Sequence, residues 1–445
     1  MPTRRACAVL LATGMGLAIH APAIRAAAQP ETLTVEQCAE RARRQGPSVR
    51  AARLDEGAAA ADLEVARRNR RPEFGLDAGL WVAPDGSYDP AFTNLGEYHA
   101  QLGMGLPLAD GGKRARDRER ADIAAHGARA RREAESRDAG EHAAELALES
   151  ARLDEVGALL ASHESALGDV AVLVRAGVRA GSRSPADSIR LALAEGDLAL
   201  DRASHDERVR TARLELLESL GMPLDAALVV RPAPDPDTAS TGTADSLALA
   251  ASAARRPELA LARAGEAAAR LAALDADRAN AATIGLTVDA GLAGTDLTRW
   301  VPSALLAEKP DATFADRLHR DLGASAAIQF HLPLLDAARR PSVEARVLDL
   351  RASEERRRAA EVAGERELRA LLERARSSAR RVAIAYGVVT RAESHFLRTK
   401  SLYAAGATTL FDLLDALELH QAALERRAEI REDDRMIRFT IQDRR

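Results

Sequence analysis

The sequence predicts a mainly α-helical protein with a membrane β-barrel, built from two structural repeats of helix, β-hairpin, long helix, turn and helix. Two observations support this fold class. Four segments of nine residues alternate apolar residues with small or polar ones, which is the period of a β-strand. Nearly all of the remaining mature chain has a helical pattern, including two stretches of roughly 60 residues with no interior proline.

The alternating segments lie at about 74–82, 98–106, 284–292 and 324–332. In the first segment one face is entirely apolar: Phe74, Leu76, Ala78, Leu80 and Val82. A strand that crosses an outer membrane needs about 9–11 residues, with an apolar outer face and a polar or small inner face. A single segment of this kind is more typical of a half-buried strand in a water-soluble sheet. Four such segments in two hairpins, surrounded by helix, favour the membrane interpretation.

Composition and charge narrow the possible classes of function. Hydrophobic residues make up 47% of the 445 positions but aromatic residues only 3%, and alanine supplies much of the apolar content. Small side chains allow helices to approach closely, so this composition suits long coiled coils better than a thick globular core. The net charge of −4 is small and charges of both signs are interleaved, so nothing indicates a nucleic-acid partner.

Residues 1–28 have the pattern of a secretory signal peptide. Two arginines precede an apolar core over residues 6–19, and Ala26–Ala28 offer a small-residue cleavage site. Cys38 is then the sole cysteine of the mature chain, so no internal disulfide is expected. No other segment has close to 18 continuous apolar residues, and we expect no transmembrane helix.

Helix and turn signals divide the mature chain into two halves joined by a linker. The first half, residues 29–223, opens with a capping-box sequence at Thr34–Gln37 and contains a long helix over about 113–175. Residues 224–245 are rich in Pro, Asp, Ser and Thr, which predicts the linker. The second half, residues 246–445, contains the other long helix over about 342–402, and a return helix follows each long one.

Short motifs recur between the two halves, which indicates an internal repeat. Leu332-Pro-Leu334 lies 226 positions after Leu106-Pro-Leu108, and Tyr403-Ala-Ala-Gly406 lies 225 positions after Val178-Arg-Ala-Gly181. Before the hairpins the offset is smaller, since Arg256-Pro-Glu-Leu259 lies 210 positions after Gly46-Pro-Ser-Val49. The offset therefore grows inside the hairpins, and the second hairpin loop, about 293–323, is predicted to be longer than the first.

Four strands from one chain cannot close a membrane barrel, and exposed strand edges are not tolerated in lipid. Single-chain barrels have at least eight strands, so the barrel must be shared between copies: two would supply eight strands and three would supply 12. At 1.5 Å per residue, the long helices would extend roughly 95 Å from the barrel into the periplasm. The sequence thus predicts a tube that is anchored in the outer membrane.

The order of elements, the twofold repeat, the Leu-Pro-Leu exits and the glycine turns together resemble the TolC family of outer-membrane efflux proteins, over essentially the whole mature chain. Leu106–Arg114, with its Gly-Gly-Lys-Arg step, further resembles the heavy-metal efflux (CzcC-like) branch. The resemblance implies a homotrimer with a 12-stranded barrel in the bacterial outer membrane and an α-helical barrel in the periplasm. It also implies a passive exit duct of a tripartite efflux system, with a periplasmic adaptor protein and an inner-membrane transporter, of which the RND type is favoured, as partners.

The resemblance places a pore gate at the second helical turn. The run Tyr403–Ala416 matches the family pattern of Tyr, Gly and then Asp-x-x-Asp-Ala, so Asp412 and Asp415 match the two aspartates that surround the constricted entrance. In a trimer these carboxylates would repel one another and attract cations. By sequence alone, each is more typical of a solvated charge on a helix face. Gly181 and Gly406 lie at the predicted turns, where glycine adopts the required backbone conformation easily. The resemblance implies in addition that these turns dock on the adaptor protein.

The same resemblance implies a latch that holds the entrance closed. Asp187 matches a family position that hydrogen-bonds the tip tyrosine, which is Tyr403 here. The family's latch arginine would fall at Thr408, whereas the corresponding site in the first repeat is Arg183. The ion-pair part of the latch is therefore expected to have moved to Arg183 or to be missing.

No catalytic, metal or cofactor site is expected. The ten histidines are scattered without a chelating pair on one helix face, and the five methionines form no cluster suited to copper(I). His99 and His331 are expected to line the barrel lumen as polar residues. Neither a Gly-x-Ser-x-Gly motif nor a phosphate-binding loop occurs, so the chain is not expected to be an enzyme. Two alternatives stay open: a duct for drugs or for type I protein secretion, and a periplasmic coiled-coil structural or adaptor protein.

Overall fold

The structure is a computed structural model, and it describes residues 31–69, 71–81, 97–231, 256–295, 300–301, 303–334 and 337–444. The predicted signal peptide and most of the predicted linker lie outside these residues, and so does Val82, the last residue of the first predicted strand.

Four strands and four helices precede the break in the described residues after 231. In chain order they are β1 Glu31–Thr34, α1 Val35–Gln45, α2 Pro47–Arg68, β2 Glu73–Trp81, β3 Glu97–Ala109, α3 Lys113–Arg179 and α4 Pro185–Ser219. A short strand, β4 Leu228–Arg231, follows.

The second half gives the same order of long elements, with two short helices added. Its elements are α5 Pro257–Asp277, β5 Thr283–Thr295, α6 Ser303–Glu308, α7 Phe314–Asp321, β6 Leu322–His331, α8 Arg339–Ala404 and α9 Leu410–Asp443. Both additions lie between β5 and β6, where the sequence predicts only a long loop.

Local capping explains where the first helices begin. The Thr34 Oγ1 accepts a hydrogen bond from the Gln37 amide at 3.3 Å, and the Gln37 side chain accepts one from the Thr34 amide at 2.8 Å. This is the predicted capping box. Pro47 is the first residue of a new helix after Gly46, because proline fits the first turn but not a helix interior.

Strands β2, β3, β5 and β6 form one antiparallel sheet in that order. Leu76 lies opposite Leu102, Leu102 opposite Ala290, and Ala290 opposite Ala324. Since alternate residues of a strand point to opposite faces, this register places the apolar residues of all four strands on one face. In the described residues, β2 and β6 each pair on one side only, so the sheet ends in two open edges.

The helices pack lengthwise around α3, which contacts α1, α2, α4, α5 and α9, while α8 packs against α5 and α9. One buried cluster joins the start of the helical body to the end of α9 and includes Val35, Cys38, Leu217 and Phe439. Many of its other members are alanines of α3, and their small side chains allow close helix approach. A second cluster lies near the two helical turns.

Two features of the fold were not expected from the sequence. β4, which lies inside the predicted linker, pairs in parallel with β1 in the register Glu31↔Leu228 to Thr34↔Arg231. In addition, α3 contains one stretch that is long and apolar enough, by composition, to cross a membrane. Because the core helix of a soluble protein can pass the same test, a single stretch of this kind is weak evidence for a membrane-spanning helix.

Candidate functional site at the helical turns

The α3–α4 and α8–α9 turns are built in the same way. Gly181 has φ +70° and Gly406 has φ +77°, a left-handed conformation that favours glycine. The Ser182 amide donates to the Gly177 carbonyl at 2.9 Å, and the Ala407 amide donates to the Leu402 carbonyl at 2.9 Å. These bonds, from the residue after each glycine back to the last helical turn, are Schellman closures. Both glycines are exposed, so both turns offer accessible tips.

An aspartate occupies the third position of each return helix. Asp412 completes a capping box with Thr409, since its carboxylate accepts from the Thr409 amide at 3.0 Å and the Thr409 hydroxyl accepts from the Asp412 amide at 3.2 Å. The carboxylate also accepts from the Thr409 hydroxyl at 2.6 Å and from the Thr408 hydroxyl at 2.7 Å. These bonds lower the pKa of Asp412 to about 2. Asp187 is the equivalent residue of α4, which Ser184 caps. Asp412 therefore has a clear local role in starting α9.

Asp415 lies one turn further along α9, and both Asp412 and Asp415 are exposed. The buried residues of this segment, Leu410, Leu413 and Ala416, lie on another face of the helix. The two carboxylates thus project away from the core of their own chain.

Arg183 connects the two turns. Its guanidinium lies 4.0 Å from the centroid of the Tyr403 ring and donates to the Tyr403 carbonyl and, at 3.4 Å, to the Thr408 carbonyl. These carbonyls belong to the C-terminal end of α8 and the turn that follows, where the helix dipole favours a cation. The cation–π contact and the carbonyl contacts together make Arg183 the principal described link between the turns.

The predicted hydrogen bond between Asp187 and Tyr403 does not form in this structure. Tyr403 is 1% exposed, and its hydroxyl has no hydrogen-bond partner among the described residues. Burial raises the pKa of Tyr403, the nearby Arg183 lowers it, and the Asp187 carboxylate raises it again. Asp187 is therefore close enough to act through space, while Arg183 makes the direct contact with the ring.

Two further features of this region were not predicted from the sequence. A Cβ atom at Gly177 would lie 2.4 Å from the Arg183 Cγ, so glycine leaves room for the arginine to cross to Tyr403. The Lys400 ammonium and the Asp169 carboxylate, 2.9 Å apart, join α8 to α3 below the turns. An exposed charge on a coiled-coil surface gives no sequence signal of its partner, so this ion pair could not have been found.

The sheet has one apolar and one polar face, and the apolar face is open. Leu76 and Ile328 are more than 70% exposed, and strands β2, β3, β5 and β6 make few contacts with the long helices in the part of the chain that the structure describes. On the other face, His99 Nε2 lies 2.5 Å from an Asp77 carboxylate oxygen. His331 also belongs to this face.

Within the described residues, no group of three or more His, Cys, Asp or Glu side chains is arranged to hold a metal ion. The candidate site therefore consists of the α3–α4 and α8–α9 turns, the charged side chains near them and the open apolar face of the four-stranded sheet.

Three solved structures are similar to this chain along nearly its whole length. The outer membrane protein VceC from Vibrio cholerae has a TM-score of 0.72 at 15% sequence identity, over 92% of this chain and 94% of that one. The CmeC outer membrane channel of Campylobacter jejuni has a TM-score of 0.69 at 12% identity, over 92% and 85%. The open state of the MtrE outer membrane channel of Neisseria gonorrhoeae has a TM-score of 0.62 at 17% identity, over 91% and 88%.

The chain thus has the fold of the outer-membrane channel proteins. Residues 38–221, from within α1 to just after α4, match the profile of the family described as outer membrane efflux protein. Comparison with curated protein sequences gives no significant match.

Proposed function

We propose that this chain is the outer-membrane exit duct of a tripartite efflux system. Three copies would form a homotrimer in the bacterial outer membrane, with the helices in the periplasm. An adaptor protein and an inner-membrane transporter, of which we favour the RND type, would supply the cargo and the energy. The duct itself would be passive and need no cofactor.

The observation that supports this function most strongly is the incompleteness of the sheet. Its apolar face is open, and its two edge strands have unpaired backbone groups in the described chain. Lipid accepts neither open edges nor unpaired backbone polar groups. Because β2 and β6 run in opposite directions, the edge β2 of one copy can pair with β6 of the next in the same antiparallel pattern, and 12 strands from three copies close the barrel.

We propose that the two turns form the periplasmic entrance. Asp412 and Asp415 would surround the pore, with Asp412 also capping its helix, and Arg183 with Tyr403 and Asp187 would hold the turns together. The exposed tips at Gly181 and Gly406 would contact the adaptor. For the cargo we propose heavy-metal cations, on the basis of the Gly-Gly-Lys-Arg step at the exit of the first hairpin.

The test of this function is pore formation by the full chain in planar bilayers. We expect a heat-modifiable trimer in the outer-membrane fraction that gives cation-selective channels. Asp415→Asn is expected to raise the single-channel conductance or weaken block by divalent cations. It removes a negative charge from the proposed gate but leaves the helix cap formed by Asp412 and Thr409 intact. Glu418→Asn, at an exposed position on the same helix, is the matched control.

Recovery of the protein as a soluble periplasmic monomer would contradict the duct. Channels whose conductance and divalent block are the same in wild type and Asp415→Asn would contradict the gate alone. Deletion of the gene, followed by measurement of sensitivity to zinc, cobalt, cadmium, copper and organic drugs, tests the cargo.

A further inference from the structure

The connection between β5 and β6 folds into a small lobe at the end of the sheet that lies away from the long helices. We define the lobe as the described residues 300–301 and 303–321, which include α6 and α7. It resembles neither the long loop expected from the sequence nor a helix of the periplasmic body.

The lobe is fixed to the sheet through Arg317, which is 5% exposed. Its guanidinium lies 5.3 Å from the Tyr98 ring, contacts the Asp321 carboxylate at 3.3 Å and donates to the Trp300 carbonyl at 3.4 Å. The Tyr98 hydroxyl donates to the same Asp321 carboxylate. A buried cation with these partners fixes the position of α7 on the strand ends.

The lobe lies on the apolar side of the sheet. Tyr98 pairs with Gly294, and both belong to the face that contains Leu102 and Leu292. A Cβ atom at Gly294 would lie 2.5 Å from the Asp321 carboxylate and 2.7 Å from the Tyr98 hydroxyl. These side chains therefore cover Gly294 on the apolar face, not on the face that would line a lumen.

The exposed side of the lobe continues the apolar face of the sheet. Trp300 is 80% exposed and packs edge-to-face on Phe314, with 5.5 Å between the ring centroids. Leu318, one turn after Phe314, is exposed, and Leu322 at the start of β6 is exposed as well. Indole and phenyl rings beside apolar strands are typical of the boundary between lipid chains and headgroups.

We propose that this lobe is a membrane-surface anchor that inserts Trp300, Phe314 and Leu318 into the headgroup boundary of the outer leaflet. Arg320 and His319 are exposed on the side of α7 away from Phe314 and Leu318, and that side would face water. The anchor would fix the height of each subunit in the bilayer. It rests on the proposed outer-membrane duct, because only a barrel in lipid brings this face to a bilayer.

The test uses the full-length trimer reconstituted in phospholipid vesicles. Trp81→Phe leaves Trp300 as the only tryptophan. We expect its emission to lie at shorter wavelength than that of tryptophan in water, and lipids with bromine close to the headgroup to quench about half of it, more than lipids brominated at the chain end. Leu318→Cys labelled with an environment-sensitive dye should show the same depth, with His319→Cys as the matched control.

Equal quenching of Trp300 by aqueous iodide in vesicles and in unfolded protein would overturn the anchor. Protection from both iodide and brominated lipid would also overturn it, since another protein segment would then cover the lobe. Conductance and heat-modifiability are measured on the same vesicles. Pores without lipid contact at Trp300 would contradict the proposed anchor but not the proposed duct. The absence of any inserted pore would contradict both proposals.

Discussion

At the scale of single residues, the helical turns depend on Arg183 more than on the expected bond between Tyr403 and Asp187. The arginine satisfies carbonyls at the end of α8 and covers the Tyr403 ring, while the tyrosine hydroxyl is buried without a partner in the described structure. A cation that reaches from one turn to the other can hold both turns together, and it needs no bond to Asp187.

We therefore expect Arg183→Ala to separate the turns and to increase single-channel conductance or the fraction of time that the channel is open. Arg183→Lys should have a similar but smaller effect, because lysine retains the charge but lacks the planar group that stacks on a ring. Planar-bilayer recordings of the full-length channel measure both changes.

Two controls distinguish this role from a general loss of positive charge. Arg179 is exposed, and its guanidinium donates to the Arg175 carbonyl of its own helix, so Arg179→Ala should leave conductance unchanged. Tyr403→Phe keeps the ring under Arg183 and removes a hydroxyl that lacks a partner, so it should also leave the channel unchanged. An increase in conductance with Tyr403→Phe but not with Arg183→Ala would restore Asp187 as the main latch residue.

At the scale of elements, glycine determines how closely the central strands approach. A Cβ atom at Gly291 of β5 would lie 2.1 Å from the Ala100 carbonyl oxygen of β3, a contact that requires backbone movement. Gly285 lies on the same strand and the same face, and a Cβ there would meet nothing within 4 Å.

Gly291→Ala is expected to destabilise the pairing of β3 with β5 by about 1–3 kcal/mol, in the range of other overpacking substitutions. The measurement is the temperature at which the proposed trimer dissociates on a heated gel. Gly285→Ala should leave that temperature nearly unchanged, and equal effects of the two substitutions would contradict the strand register.

The contact between α3 and α9 contains a carboxylate whose charge depends on pH near neutrality. Glu432 is largely buried, lies beside Glu149, and pairs with Arg152 at 2.6 Å. Burial and the Glu149 carboxylate raise the pKa of Glu432 to about 7, although Arg152 opposes the shift. A carboxyl with a raised pKa stabilises the folded state below its unfolded value, and that contribution is lost as the pH rises through about 7.

Glu432→Gln should therefore gain thermal stability relative to wild type as the pH is raised from 5 to 8, by about 3 kcal/mol at most for a shift of this size. Melting curves at a series of pH values measure this difference. Glu429→Gln, at an exposed position on the same helix, is the control and should show no such trend. A constant difference between Glu432→Gln and wild type at every pH would rule out the coupling.

The sequence predicted the long elements well because each has its own local signal. The period of two locates the strands within a few residues, and the apolar stripe of Leu410, Leu413, Leu417 and Leu424 locates the return helix α9. β1 and β4 have four residues each, too few for a period to be recognised, and their pairing joins residues about 200 positions apart. The contact of Arg183 with Tyr403 also depends on tertiary packing, so the residue was predicted but its mode of binding was not.

At the scale of the whole molecule, a single chain leaves part of its sheet without packing or pairing partners in the described residues. The helical body has buried clusters and many interhelical ion pairs, but the sheet leaves its apolar face and both edges without partners in the described residues. The lobe between β5 and β6 extends the same apolar surface. Lipid on one side and further copies of the chain at each edge would complete it.

Cysteine cross-linking between the two edge strands tests this account most directly. The full chain with Leu76→Cys in β2, combined in turn with a cysteine at Ala324, Ala326, Ile328 or Phe330 in β6, is oxidised in outer membranes and heated before electrophoresis. Background reaction should be low, because Cys38 is buried and burial raises the pKa of its thiol to about 11. We predict covalent species of up to three chains for at least one pair, and none when either cysteine is absent. Cross-links confined to single chains for every pair would contradict closure of the barrel between copies.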